Sequence, residues 1–149
     1  MALEDILKAY HEQEEADKKK KDDARKLEQE KKENFLNASK EALQNIILPK
    51  FKQLIEVFNK NHFHAFTSEG KPPPSDRSTA LTVEKDSHNM HLNVTIQPDT
   101  FKISFYFTFN TGAPSKQYNL LLHEVTGKRV EELIEQNFSQ LLVRMKTAN

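Results

Sequence analysis

The chain has no cysteine, no tryptophan and only three glycines in 149 residues, and it carries no net charge. Without cysteine there is no disulfide, no thiolate nucleophile and no Cys-based zinc or iron–sulfur site. So few glycines leave no Gly-rich loop to cradle phosphates. Lys plus Arg equals Asp plus Glu at 22 each, and residues 1–60 carry 13 of each sign while 61–149 carry 9 of each. Nucleic-acid binders draw much of their affinity from neutralising phosphates, and the basic bias this requires is missing. Long apolar runs are missing too: nothing approaches the ~20 residues of a membrane helix. The first residues, MALEDILKAY, are acidic and lead into charge, which is not a secretory signal. The expected location is cytoplasmic.

Two stretches of strict alternation stand out against this background. Met90, Leu92, Val94 and Ile96 alternate with His91, Asn93, Thr95 and Gln97; Phe101, Ile103, Phe105, Phe107 and Phe109 alternate with Lys102, Ser104, Tyr106 and Thr108. A period of two over this length is the mark of half-buried strands, and Pro98-Asp99 between them is turn chemistry. The result is an antiparallel hairpin with one apolar face. Shorter runs flank it: Ala80–Lys85 with Leu81 and Val83 inward, then Asp86-Ser87-His88-Asn89 as a turn, and, after the loop Asn110–Lys116, Gln117–Val125 with Tyr118, Leu120 and Leu122 inward. Short connections make a four-stranded meander the simplest topology.

Helices supply the cover. Val130, Leu133, Ile134, Phe138, Leu141, Leu142 and Met145 follow a helical period over 127–146, with Thr126 as N-cap. Leu36, Leu43, Ile46, Ile47, Phe51, Leu54, Val57 and Phe58 form a second stripe over 35–60, and Pro49 within it predicts a kink. Residues 61–79, with Gly70 and Pro72-Pro73-Pro74, read as a stiff linker. Ahead of all this, 17 of the 22 residues from Glu12 to Glu33 are charged, with acids four positions before bases at Glu14–Lys18, Glu15–Lys19, Asp17–Lys21, Asp22–Lys26 and Glu28–Lys32. That spacing supports a solvated helix. The fold class expected is therefore α+β: a charged helical extension over 1–34, then a domain over 35–149 comprising helix 35–60, linker 61–79, sheet 80–125 and helix 127–146. Both helices pack on one sheet face (α-β-β-β-β-α).

Candidate chemistry is sparse. His62-Phe-His64 and His88-Asn-Met-His91 have chelating spacing but no HExxH context. No serine sits in a GxSxG elbow, and no carboxylate pair is placed for acid–base work. No catalytic, metal or cofactor set emerges, and no cofactor is expected. Leu3, Ile6, Leu7 and Tyr10 form an apolar stripe separated by the charged run from any core. If helical throughout, residues 3–58 would span ~84 Å, longer than a small sheet can cover. The first reading is a non-enzymatic interaction or scaffold protein that self-associates through this stripe. Its expected partner is a second copy, as a dimer or higher homo-oligomer, or another protein; neither nucleic acid nor membrane is expected. The alternative is a small nucleic-acid- or anion-binding module. It would use Lys128 and Arg129 beside a helix N-terminus, with an outer sheet face carrying His91, Lys102, Tyr106 and His123.

Overall fold

The computed structural model describes residues 2–67 and 77–147. These residues fall into two compact units, Met1–Asn34 and Phe35–Asn149. The first consists of helix alone, the opening part of α1 (Ala2–Ala42). Every residue from Ala2 to Lys31 is exposed, as expected where 17 of 22 consecutive side chains are charged. Local polar pairs run along it: Gln13 Nε2 donates to Asp17 Oδ1 at 3.1 Å, and Lys32 Nζ lies 3.9 Å from Glu28 Oε1.

In the second unit α1 ends at Ala42 and the chain runs through a π turn, Leu43–Ile47, into α2 (Leu48–Lys60). The N–H of Leu48 donates to the carbonyl of Leu43, five residues back. Pro49 is the physical reason. In an unbroken α-helix its ring would crowd the carbonyl of Asn45, and it has no N–H to donate. Widening the preceding turn to an i→i+5 pattern relieves the crowding while the helix continues. Leu43, Ile47, Phe51 and Leu54 stay on the buried side through this change.

α2 stops in a Schellman motif. The N–H of Phe63 donates to the carbonyl of Phe58 at 3.0 Å and that of His62 to the carbonyl of Asn59 at 3.3 Å. The Phe58 and Phe63 rings meet edge-on at 6.5 Å, the apolar contact that usually accompanies this cap. His62 occupies the left-handed position (φ 67) where glycine is commonest.

The sheet has five strands in sequence order, β1 (His64–Thr67), β2 (Ser78–Lys85), β3 (His88–Gln97), β4 (Lys102–Phe109) and β5 (Lys116–Leu120), each antiparallel to its neighbour. The expected meander is present with one strand more than the four read from sequence. The extra strand, β1, lies inside the span 61–79 expected to be linker; the Pro72–Pro74 run falls outside the described residues. The alternation gave no sign of β1 because its inward residues are Ala65 and Thr67, too small or too polar to register, while His64 and Phe66 face outward in register with Glu84 and Thr82. β2 and β3 join through Asp86 and Ser87, both at positive φ (51 and 69), the two-residue turn that matches strand twist. Phe101 belongs to the β3–β4 turn, not to the strand, at φ 55, and its ring meets Phe35 edge-on at 5.6 Å.

The fourth expected strand, Gln117–Val125, is overturned beyond Leu120. The chain leaves the sheet there and makes one 3₁₀ turn, Leu122–Glu124. Glu124 Oε1 accepts from the Leu121 N–H at 2.8 Å, replacing the sheet partner that Leu121 would have needed. α3 (Gly127–Thr147) follows.

The inner sheet face and the helices close one core. Leu81, Val83, Met90, Leu92, Val94, Ile103, Phe105 and Phe107 from the sheet pack with Phe51 and Ile47, and with Val130, Leu133, Ile134 and Leu141 of α3. Phe138 sits at the seam of the two helices, its ring 4.8 Å from Phe58 and 5.1 Å from Phe63. Each fully buried large side chain contributes ~1.5–3 kcal/mol, the main favourable term holding sheet to helices.

Candidate functional site

Leu3, Ile6, Leu7 and Tyr10 share one side of α1 by their spacing of three, one and three. They are 62, 63, 49 and 62% exposed, and Leu27, further along the same helix, is 54% exposed. Scattered exposed apolar side chains need no explanation; four large ones within two turns form a patch. Nothing among the described residues of this chain covers it.

The α3 N-terminus holds the second predicted set. Thr126 caps the helix as expected: its Oγ1 accepts from the Arg129 N–H at 3.1 Å and its carbonyl from the Val130 N–H at 3.0 Å. Arg129 is engaged by Glu132 at 3.5 Å, and Glu131 by Lys50 at 3.3 Å. Lys50 also donates to Gln53 Oε1 at 2.9 Å. A side chain at Gly127 would come within 3.2 Å of the Lys50 stem, so the glycine lets that lysine cross the end of the helix. Lys128 is exposed. Glu132 thus compensates Arg129, a cation whose place in a first turn opposes the helix dipole.

The outer sheet face follows from register. One row reads Phe66, Thr82, His91, Thr108 and the next Ala80, Asn93, Tyr106, Gln117. A third reads Ser78, Thr95, Ser104, Asn119. Thr82 Oγ1 and His91 Nδ1 lie 2.8 Å apart. Gln117 Nε2 donates to Ser104 Oγ at 3.0 Å and to Asn119 Oδ1 at 3.2 Å. Lys102 and Tyr106 are exposed on this face as expected. His123 is not on it: it is exposed on the 3₁₀ turn after β5, because the strand that would have carried it ends at Leu120. Phe66 and His64, both within the span expected to be linker, join the face through β1, their rings 5.0 Å apart.

β1 has a further consequence for the histidines. It brings His62 and His64 beside His88, and with Glu84, Asp86 and Asn89 these line a shallow cleft of about 440 Å³ at the β2–β3 turn. His88 Nδ1 lies 2.9 Å from the Asp86 carbonyl. Lys85, on the same rim, places its ammonium 4.9 Å from the centre of the Phe63 ring. The two sequence pairs are thus regrouped, since His91 has gone to the outer face. Among the described residues no three His, Asp or Glu side chains converge as a metal-binding group.

No family model matches this chain, and no curated protein or solved structure is significantly similar to it. Of the predicted residues, Leu3, Ile6, Leu7 and Tyr10 form one cluster, and His91, Lys102 and Tyr106 share one polar face. Among the described residues, no helix is long and apolar enough to cross a membrane.

Proposed function

We propose that this is a non-enzymatic protein-interaction protein that self-associates through its N-terminal helix, acting as a scaffold in the cytoplasm. The observation that carries the reading is the exposure of Leu3, Ile6, Leu7 and Tyr10, at 49 to 63%, on a helix whose other residues up to Lys31 are polar, charged or small apart from Leu27. An apolar patch bounded by charge is the usual anatomy of a contact surface. The competing reading, an anion- or nucleic-acid-binding module, has weaker support: Arg129 is taken up by Glu132, and the charge balance offers no long-range steering.

Sedimentation at tens of micromolar of the full chain and of a chain beginning at Glu33 tests the proposal. The full chain is expected to associate and the shortened one to stay monomeric. Two monomers would remove the reading, and two equal oligomers would move the contact into the second unit.

A further inference from the structure

We infer that two copies of this chain pair through residues 3–27 in antiparallel orientation, in the register that sets Leu3 of one protomer opposite Leu27 of its partner. The inference rests on the self-association reading above and adds an orientation and a register to it.

The seam can be read directly along α1. Leu3, Ile6, Tyr10, Gln13, Asp17, Lys20, Ala24 and Leu27 are spaced alternately by three and four, so they follow one side of a continuous helix. The ends of this seam are apolar and its middle is polar. Placing a second copy antiparallel about Glu15 sets Leu3 against the partner's Leu27 and Ile6 against the partner's Ala24. Tyr10 then meets Lys20, and Gln13 meets Asp17. Two-fold symmetry repeats each pair.

Every one of these pairs is chemically matched. Leucine meets leucine, and the branched isoleucine meets a residue small enough to admit it. A lysine stem lies along an aromatic ring with its ammonium free to reach the face or the water. The amide–carboxylate match of Gln13 with Asp17 already exists within one helix, at 3.1 Å, and polar pairs inside a seam are what fix register.

The alternatives are less well matched. In a parallel pair Asp17 would face Asp17 and Lys20 would face Lys20. Sliding the antiparallel pair by seven residues would set Leu3 against Asn34 and Ile6 against Lys31, leaving apolar groups on polar ones.

The charge distribution chooses the same orientation independently. Residues 2–17 hold six acids (Glu4, Asp5, Glu12, Glu14, Glu15 and Asp17) against one base, Lys8; residues 18–34 hold eight bases against five acids. Antiparallel pairing lays the acidic half of each helix on the basic half of the other, whereas parallel pairing sets like on like. Packed helices are ~8–10 Å apart, close to the ~8 Å screening length at physiological ionic strength, so this complementarity is felt across the seam.

The absence of native cysteine provides the test. Full-length chains carrying Leu3→Cys and Leu27→Cys are mixed and mildly oxidised. The expected result is a covalent dimer from the mixture, with only background cross-linking from either variant alone. Positions 3 and 27 of one chain are ~36 Å apart along the helix, so no bridge within a chain competes. Because a cysteine in the seam weakens the contact under test, a second measurement leaves the seam intact. A spin label on Glu4→Cys should report a pair distance of at least ~33 Å, the axial offset of the two copies in this register; side-by-side parallel helices would bring the labels within ~20 Å. Leu3→Cys cross-linking to itself, with a short label distance, would overturn the antiparallel register while self-association stands. A monomer by sedimentation with no cross-link from any mixture would overturn both.

Discussion

Phe105→Ala is the sharpest probe of the core, with Tyr106→Ala as its internal control. Phe105 is fully buried on the inner face of β4, in register with Val94 on one side and Tyr118 on the other. Its neighbour Tyr106 points the opposite way and is 38% exposed, in register with Asn93 and Gln117. Truncating a buried phenylalanine costs ~3–5 kcal/mol, from the lost transfer energy and the cavity left behind. The tyrosine should lose ~1 kcal/mol, the scale of cross-strand packing and strand propensity on an open face. With a urea slope of ~2 kcal/mol per molar, the two midpoints should move by roughly 2 M and 0.5 M. Tyrosine emission is a suitable signal, because the chain has no tryptophan and Tyr118 lies against Phe107, ring centres 5.9 Å apart. Tyr118 remains in both variants. Comparing adjacent residues holds strand and position constant, so only the face differs. Equal shifts would refute the reasoning: either something covers the outer face in solution, or the inner face is not the core.

Two further substitutions test local features. His62→Gly should raise stability by ~1 kcal/mol, because His62 holds the left-handed cap position at φ 67, a conformation that costs a residue with a Cβ about that much; a fall in the denaturant midpoint would mean that its side chain contributes more from the cleft than the backbone loses. Thr126→Ala should cost ~1 kcal/mol through the lost cap on the Arg129 N–H at 3.1 Å, while Lys128→Ala should stay within ~0.5 kcal/mol, so a reversed order in thermal melts would point to a contact at Lys128 that the fold does not require.

The parts of the fold legible in the sequence are those where burial is one-sided and the side chains are large. β3 and β4 alternate cleanly because one face packs on helices and the other does not, and α3 shows its stripe for the same reason. β1 was hidden because its inward positions are Ala65 and Thr67, so burial left no apolar signal; its neighbours Gly70 and Pro72–Pro74 pulled the whole span toward a linker. The end of β5 was hidden for a different reason. Leu122 keeps the alternation phase of Tyr118 and Leu120, yet the pattern cannot show that Glu124 will satisfy the Leu121 backbone and release the chain from the sheet. The sequence pairs His62 with His64 and His88 with His91, whereas the chain entering β1 sets His62 and His64 beside His88. Pro49 predicts a kink, whereas the chain widens the preceding turn at Leu43–Ile47; sequence gives no means of choosing between the two.

The N-terminal segment poses the opposite problem: its secondary structure was plain and its purpose was not. Glu–Lys pairs four apart stabilise an isolated helix by only ~0.2–0.5 kcal/mol each, which supports the helix without explaining why large apolar side chains lie along it. Covering them does. Leu3, Ile6, Tyr10 and Leu27 of the seam are each about half exposed, so burying the remainder yields ~1 kcal/mol apiece, half the usual value for a whole side chain. A symmetric pair doubles this to ~8 kcal/mol. Association itself costs ~4–15 kcal/mol in lost freedom. The two terms nearly balance, which leaves the charge complementarity of the helix halves to decide the outcome and makes the pairing reversible. A segment built in this way, apolar only at the ends of its seam and polar through the middle, suits a contact that forms and releases with concentration better than a permanent one.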